Sequence, residues 1–338
     1  MNLTYRIIWI EDNEEYIESL DRSTLLRHVQ EQGFDLDITF KTSPEDIALE
    51  VDGNAYDLMV IDYQITEDNQ HDGDATENDG SGKTGDDVIK SVREHDCLTE
   101  VIFYSGSPTH TLRRLAADRE LEGVFFSDRD QEVLIRKICD VFDLTVRKVV
   151  DVANMRGIVM AGVADIDHQL SGLLLKLHES LGAVDKEKHH KKIFKKMLER
   201  EKAVKKLVQD QDNELLKNVY AAIKSLEELE PKNFDSLIGL REFDSYSRVE
   251  AAASLCGKHQ TLSDAKGIIE EIKFLLKWRN ALAHQCPTNN GGVYTFEPDE
   301  GVPEPFDDAR TLDLRKRLRD HRLHLAEILT KVPTIGQE

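Results

Sequence analysis

Cysteine is scarce in this 338-residue sequence, which contains four. Cys97, Cys139, Cys256 and Cys286 form no CxxC pair and have no histidine partner at the spacing of a zinc site. This pattern argues against a structural zinc site. It favours reduced thiols in a cytoplasmic protein.

Long apolar runs are also missing. No stretch of about 18 apolar residues is present, so we expect no membrane-spanning segment. The first residues, MNLTYRIIWIEDN, lack the charged, apolar and small-residue regions of a secretion signal. Basic residues are outnumbered, with 44 Lys and Arg against 65 Asp and Glu, for a net charge of −21. The surface as a whole is therefore not an electrostatic trap for nucleic acid, although a local basic face is still allowed.

The first part of the chain alternates short apolar, β-branched runs with amphipathic helical stretches. Runs buried on both faces are typical of a parallel sheet. The five candidate strands are 6–10, 36–40, 57–61, 100–105 and 123–126, and the helical stretches are roughly 13–31, 44–52, 84–95, 109–118 and 130–143. The pattern predicts a doubly wound α/β domain with a five-stranded parallel sheet over residues 1–145. Ligands of such sheets bind beyond the carboxyl ends of the strands.

After about residue 146 the strand signal vanishes. Apolar residues recur at helical spacing, which predicts a helical linker at 146–160 and an all-α bundle over 161–332. The Pro- and Gly-rich stretch 287–310 is expected to be a long loop within that bundle. In the first domain, the stretch 66–82 carries six acids and no base, and we expect a solvated loop there.

Acidic side chains end two of the predicted strands. Glu11 and Asp12 follow the first strand, Asp62 ends the third, and Ser105 ends the fourth. Converging carboxylates repel one another unless a hard cation such as Mg²⁺ neutralises them through oxygen ligands. A carboxylate beside a metal ion and a hydroxyl group is suited to accept a phosphoryl group.

This constellation resembles the receiver domain of two-component response regulators, over about residues 1–143. The resemblance implies that Glu11, Asp12, Asp62 and Gln64 hold Mg²⁺, with Gln64 acting through its backbone carbonyl. It implies Asp62 as the phosphoacceptor and Ser105 as the switch hydroxyl. The family's lysine after strand five is absent from FFSDRDQ, where Arg129 is the nearest cation and the candidate second switch residue. A pseudo-receiver that serves only as a docking or dimer surface is the alternative.

A second group of chemically capable residues lies in FLLKWRNALAHQ, residues 274–285. Asn280 and His284 are four residues apart and share a helix face, and the long side chain of Arg279 reaches the same patch. An imidazole can transfer the protons of RNA cleavage without a metal, and a guanidinium can stabilise the phosphorane. Alternatively, His284 caps the helix carbonyls, or Arg279 pairs with an acid elsewhere in the bundle.

RNALAH resembles the Arg-x4–6-His motif of ribonucleases of the HEPN superfamily, over about residues 161–332. The resemblance implies Arg279, Asn280 and His284 as catalytic residues in a cleft between the two chains of a homodimer. Basic segments at 186–206, with a local charge of +7, and at 314–322 are candidate RNA contacts or solvated helix faces.

Together these patterns predict a cytoplasmic, receiver-regulated endoribonuclease that needs no metal for RNA cleavage. The resemblance to receiver domains implies a sensor histidine kinase as a partner. The resemblance to the HEPN superfamily implies stress or phage defence as the setting. The alternative is a non-catalytic response regulator whose helical domain binds a protein or a nucleotide.

Overall fold

The computed structural model describes residues 3–44, 47, 56–65, 84–95, 97–193, 234–240, 243–259, 261–291 and 293–333. The chain divides into two compact units. One comprises Met1–Met155 with Thr311–Lys316, and the other comprises Arg156–Arg310 with Arg317–Glu338. The acidic stretch 66–82, most of the predicted helix 44–52 and the basic residues 194–206 lie outside the described residues.

The first unit is built on a five-stranded parallel sheet flanked by helices, which confirms the predicted α/β layout. Its strand order is β2-β1-β3-β4-β5. The strands are β1 (Thr4–Ile10), β2 (Asp35–Lys41), β3 (Leu58–Asp62), β4 (Glu100–Ser105) and β5 (Val124–Asp128). The helices are α1 (Glu14–Ser19), α2 (Ser23–Glu31), α3 (Gly85–Glu94), α4 (Thr109–Asp118) and α5 (Gln131–Val149).

The central strands are apolar because both of their faces are covered. Every residue of β3 is buried, as are all but the first residue of β4. The strand order reverses at the pair β1 and β3, which is the position where ligands bind in sheets of this kind. Glu11 and Asp62 lie at this point.

The second unit is mainly helical. Its described helices are α7 (Phe234–Ile238), α8 (Ser245–Cys256) and α9 (Ala265–His284), together with most of α6 (Val152–Glu179) and of α10 (Asp308–Lys331), and residues 183–193 are also helical. The residues predicted as a linker, 146–160, contain the end of α5 and the start of α6. From residue 152 the predicted linker continues without a break into the first helix of the second unit.

The prediction of a long loop at 287–310 within an all-α bundle is wrong. Most of this stretch forms an antiparallel sheet of β6 (Thr288–Asn290), β7 (Val293–Asp299) and β8 (Val302–Phe306), and α10 begins at Asp308. Gly291 and Gly301, with φ of +64° and +76°, supply the left-handed turns between these strands. The two prolines of VPEPF are tolerated because β8 is an edge strand.

Within the described residues, one helix is long and apolar enough to cross a membrane by length and composition. It is α6, and 39% of its most apolar window is buried inside the protein. Its Gly162 faces Leu318 of α10, and its Asp167 accepts a hydrogen bond from Ser245 of α8. These contacts show that α6 packs against α8 and α10.

Candidate functional sites

The first candidate site lies at the carboxyl ends of β1 and β3. These strands are neighbours and run parallel, so Glu11 and Asp12, after β1, come close to Asp62 at the end of β3. One carboxylate oxygen from each residue lies within 4.8 Å of those of the other two. Glu11 and Asp62 are buried and Asp12 is half-buried. The structure therefore brings the three predicted acids together.

Arg129, directly after β5, lies between two of these acids. Its Nη1 donates to Oδ2 of Asp62 at 2.9 Å, and its Nη2 donates to Oε1 of Glu11 at 2.8 Å. The guanidinium carbon lies 4.6 Å from the ring centre of Tyr16, whose hydroxyl donates to the Arg129 carbonyl at 2.9 Å. The guanidinium of Arg129 thus neutralises part of the negative charge of the acidic cluster. The sequence predicted Arg129 as a switch residue.

Hydrogen bonds orient Glu11 inside this cluster. Tyr104 donates its hydroxyl to Oε2 of Glu11 at 2.7 Å and accepts from Nε1 of Trp9 at 2.9 Å. The backbone N–H of Asn13 donates to Oε1 of Glu11 at 3.0 Å. Sequence reasoning missed Tyr104, although it directly precedes the predicted switch residue Ser105 at the end of β4.

Burial makes two carboxylates of the cluster, those of Glu11 and Asp62, hard to ionise. Burial, and next the charge of Glu11, raise the pKa of Asp62 to about 7, although Arg129 opposes the shift. Burial also raises the pKa of Glu11, in spite of the hydrogen bonds from Tyr104 and Asn13. Close to neutral pH, Asp62 is therefore poised between its protonated and ionised forms.

The other predicted residues of this site have different surroundings. Ser105 is buried, and its hydroxyl accepts a hydrogen bond from the backbone N–H of Ser107 at 3.1 Å. Gln64 is exposed and follows Tyr63 in the loop after β3. Near the end of β5, the hydroxyl of Ser127 is buried without a hydrogen-bond partner in the described part of the chain.

The donor set of the cluster fits a hard divalent cation such as Mg²⁺. Its side chains are carboxylates, the ligands that Mg²⁺ prefers. Oδ1 of Asp62 is buried and has no hydrogen-bond partner among the described residues, so it is available as a ligand. Glu11, Asp12 and Asp62 would hold the ion.

The second candidate site lies at the carboxyl end of α9 and contains Arg279, Asn280 and His284. Arg279 and Asn280 are half-buried, and His284 is exposed. Nε and Nη2 of Arg279 donate to Oδ1 of Asn280 at 3.1 and 3.0 Å. Nη1 donates to the hydroxyl of Ser245, at the start of α8, at 3.3 Å.

A polar network from three helices supports Arg279. Ser245, buried at the start of α8, donates its hydroxyl to Oδ2 of Asp167 in α6. Nη1 of Arg248 lies 3.7 Å from the same carboxylate oxygen. Sequence reasoning missed Asp167, Ser245 and Arg248. Asp165 is a second acid only two residues earlier in the segment that becomes α6, so the sequence alone did not single out Asp167.

The helix end that carries His284 is firmly held. The side chain of Gln285, the next residue, donates to the carbonyl of Glu297 in β7 and accepts from its N–H, both at 2.8 Å. Arg156 in α6 donates to the Gln285 carbonyl at 3.0 Å. His284 is therefore an exposed imidazole on a rigid support.

The two basic segments have different surroundings. In 314–322, Arg315 is buried, and the guanidinium of Arg317 lies 4.4 Å from the ring centre of Phe274. The interpretation of 314–322 as a basic surface is therefore wrong in part, because arginine stems pack well against apolar and aromatic groups. In the described part of 186–206, Lys188, Lys191 and Lys192 are exposed and Lys186 is half-buried.

Comparison with known proteins assigns no family. No family model and no curated protein matches this chain. A solved structure of a yeast Spc42 trimeric coiled-coil segment, its amino acids 181–211 in a fusion, is 12% identical to this chain. That match covers 43% of this chain and 81% of the other, and its TM-score of 0.29 carries no argument about fold or function.

The two sites differ in the chemistry that they allow. In the acidic cluster, the buried carboxylate of Asp62 has a pKa of about 7 and lies beside Arg129. This arrangement suits phosphoryl or metal chemistry. The end of α9 offers a guanidinium of fixed direction and an exposed imidazole, which suits proton transfer at a phosphate.

Proposed function

We propose that this chain is a receiver-regulated endoribonuclease, with a receiver-like domain at 1–145 and a HEPN-like domain at 161–332. The observation that carries the proposal is the arrangement at the end of α9. There the Arg279 guanidinium is held by Asn280 and Ser245. His284 is exposed at a helix end that is held by the hydrogen bonds of Gln285.

The proposed reaction is cleavage of RNA without a metal ion. An imidazole accepts the proton of a 2′-hydroxyl, whose oxygen attacks the adjacent phosphorus. The bond from phosphorus to the 5′-oxygen breaks, and that oxygen receives a proton. Arg279 stabilises the charge of the phosphorane. The products are a 2′,3′-cyclic phosphate and a 5′-hydroxyl end.

A homodimer is part of this proposal. One imidazole cannot be both unprotonated base and protonated acid in the same step, and each motif contains one histidine. His284 of a second copy would supply the other role. Exposure of His284 at a helix end is compatible with such a shared cleft.

The first domain would regulate the second through Asp62. A carboxylate oxygen of Asp62 attacks the phosphorus of a donor, such as acetyl phosphate or the phosphohistidine of a sensor histidine kinase, and the donor group leaves. When bound, Mg²⁺ would neutralise the charges of the carboxylates and the phosphoryl oxygens. A cytoplasmic enzyme of this kind fits stress or phage defence, in which loss of RNA halts growth.

The test is an RNA cleavage assay with the purified full chain in EDTA, comparing the protein with its His284→Ala variant. We expect cleavage with cyclic-phosphate ends by the unaltered protein alone. Because His284 is exposed, the variant should keep its circular dichroism spectrum and its oligomeric state. Equal cleavage by both proteins would overturn the assignment of His284.

A specific pair of observations favours a second candidate, a non-catalytic response regulator whose helical domain binds a protein or nucleotide partner. Arg279 already has acceptors within its own unit, and Arg129 already pairs with the acidic cluster. If cleavage is absent in EDTA, and also with Mg²⁺ and acetyl phosphate, this second function is supported. Saturable nucleotide binding that Arg279→Ala abolishes would identify the nucleotide form of it.

A further inference from the structure

Arg129 occupies the oxygens that a metal ion would need. It donates to Oδ2 of Asp62 and to Oε1 of Glu11, two oxygens of the cluster assigned to Mg²⁺ above. The other oxygen of Glu11, Oε2, already accepts from Tyr104. In the described cluster, the buried oxygen that is left without a partner is Oδ1 of Asp62. A divalent ion would gain few ligands while Arg129 stays in place.

A divalent ion in the acidic cluster would be repelled by the guanidinium of Arg129. The carboxylate oxygens lie within 4.8 Å of one another, so an ion among them would lie very close to the guanidinium. Like charges at this separation repel strongly where water is largely excluded, and Glu11 and Asp62 are buried. The guanidinium therefore opposes the binding of a divalent ion to the same carboxylates.

The side chain of Arg129 can move without loss of the backbone around it. The Arg129 backbone is held separately, because the Tyr16 hydroxyl donates to its carbonyl. The guanidinium itself is held by the two carboxylates and by the face of the Tyr16 ring, and its side chain is 27% exposed. An exit towards solvent is therefore open to the side chain alone.

We propose that Arg129 is an internal competitor of divalent cations, which closes the acidic cluster until an ion displaces its guanidinium from Glu11 and Asp62. The inference rests on the part of the proposed function that assigns a divalent cation to this cluster. In consequence the metal affinity of the unaltered chain is set low by its own arginine. Occupancy by an ion and release of Arg129 are a single event.

The test measures binding of Mn²⁺, used as a paramagnetic stand-in for Mg²⁺, to the full chain by the electron paramagnetic resonance signal of the free ion. The variant Asp62→Asn gives the amount of Mn²⁺ that binds elsewhere on the chain, and this amount is subtracted from the binding of each other protein. Arg129→Gln should lower the dissociation constant by about tenfold or more, because a competing charge is removed. Arg136→Gln, an exposed position in α5, removes the same charge and should leave the dissociation constant unchanged.

Circular dichroism and thermal unfolding establish that each variant is folded. If Arg129→Gln fails to fold, Arg129→Lys takes its place, because a lysine keeps the charge but lacks the two-pronged donor geometry. It should bind Mn²⁺ more tightly than the unaltered chain, by about threefold. An unchanged or weaker affinity in the folded variant would overturn the proposal.

A separate measurement keeps this inference distinct from the proposed phosphorylation. Each protein is incubated with Mg²⁺ and acetyl phosphate, and phosphate on Asp62 is followed by intact mass. Tighter Mn²⁺ binding by Arg129→Gln without phosphorylation of any protein would support the competition and refute phosphorylation of Asp62 by acetyl phosphate. Phosphorylation of Asp62, with equal Mn²⁺ affinities of the unaltered chain and Arg129→Gln, would support Asp62 as phosphoacceptor and refute the competition.

Discussion

The guanidinium of Arg279 donates two hydrogen bonds to the side-chain oxygen of Asn280, its neighbour along α9. Adjacent residues of a helix point about 100° apart, so the arginine folds back across the helix surface to make this contact. Ser245 of α8 holds the remaining Nη1 from the other side. Asn280 thereby fixes the direction of the positive charge, which is a positioning role.

Replacing Asn280 with alanine should therefore reduce RNA cleavage by about tenfold, since the barrier rises by ~1.4 kcal/mol when the side-chain oxygen that orients the charged guanidinium is lost. We expect kcat to fall more than KM rises, because the arginine still binds the phosphate but is less well aimed. Steady-state kinetics on a short RNA measure both constants. Ala283→Ser, at an exposed position of the same helix, is the control and should be fully active. Unchanged kcat in Asn280→Ala would remove Asn280 from the mechanism.

The raised pKa of Asp62 predicts an unusual dependence of stability on pH. In the unfolded chain an aspartate has a pKa close to 4, and in the folded chain that of Asp62 is about 7. Between these values the folded chain binds a proton that the unfolded chain has released. The contribution of Asp62 to the free energy of unfolding therefore falls as the pH rises from about 4 to about 7, by up to ~4 kcal/mol. Asp62→Asn should flatten this fall.

Urea unfolding at pH 5, 6, 7 and 8 measures the difference between the two proteins. Asp87→Asn is a matched control with the opposite sign. Burial opposes ionisation there too, but hydrogen bonds from Thr84 and Arg119 lower the pKa of Asp87 overall. Its loss should therefore destabilise the protein above pH 4. Parallel profiles for Asp62→Asn and the unaltered protein would show that Asp62 ionises normally.

The parallel sheet was predictable because its signal is local. Each of its strands is a short run of β-branched and aromatic residues, and the observed bounds differ from the predicted ones by at most two residues at either end. The antiparallel sheet of the second unit was not predictable in the same way. Its turn glycines and its two prolines are loop signals, and Trp278, Phe296 and Phe306 come together only after folding.

The candidate sites divide along similar lines. The approach of Glu11 to Asp62 follows from topology, since both residues end neighbouring parallel strands. The pairing of Arg129 with these acids depends on the course of the loop after β5, which a single sequence does not specify. Likewise, Asp167 and Ser245 support Arg279 from helices that are distant along the chain, and such contacts leave no pattern in the spacing of residues.

A histidine cluster in the second unit predicts sensitivity to acid. His178 stacks on Phe234 with 3.8 Å between ring centres, and His189 lies 5.7 Å from His178. Burial, followed by the charges of neighbouring histidines and lysines, lowers the pKa of both histidines to about 4. Below about pH 6.5 these histidines therefore bind protons in the unfolded chain but not in the folded chain. Stability should be full above that pH and should fall by about 1–2 kcal/mol as the pH drops towards 4.

His189→Leu should remove part of this acid sensitivity, because a leucine fills the buried position without a titrating group. Urea unfolding at pH 7.5 and at pH 5 gives the difference in free energy for each protein. His168→Gln, at an exposed position of α6, is the control and should keep the sensitivity of the unaltered chain. An undiminished loss of stability at pH 5 in His189→Leu would exclude this histidine as its source.

Gly85, the first residue of α3, allows the chain to pass directly over the acidic site. A Cβ atom at this position would overlap the carbonyl oxygen of Asp62 and would lie 2.9 Å from Cε2 of Phe103. The Gly85 N–H also donates to the carbonyl of Tyr63 at 3.0 Å, so the helix cannot retreat without loss of that bond. Gly85→Ala should therefore destabilise the protein by about 2–4 kcal/mol, measured by urea unfolding.

The same substitution in the middle of α6, Gly172→Ala, is the matched control. No heavy atom lies within 4 Å of a Cβ built there, and an alanine favours the helix, so this variant should gain about 0.5–1 kcal/mol. A displaced Asp62 should also weaken Mn²⁺ binding in Gly85→Ala and leave it unchanged in Gly172→Ala. If Gly85→Ala were as stable as the unaltered chain, the backbone of Asp62 would be able to move away from the new Cβ atom with little loss of free energy of unfolding. Gly85 would then not be the residue that fixes the position of Asp62.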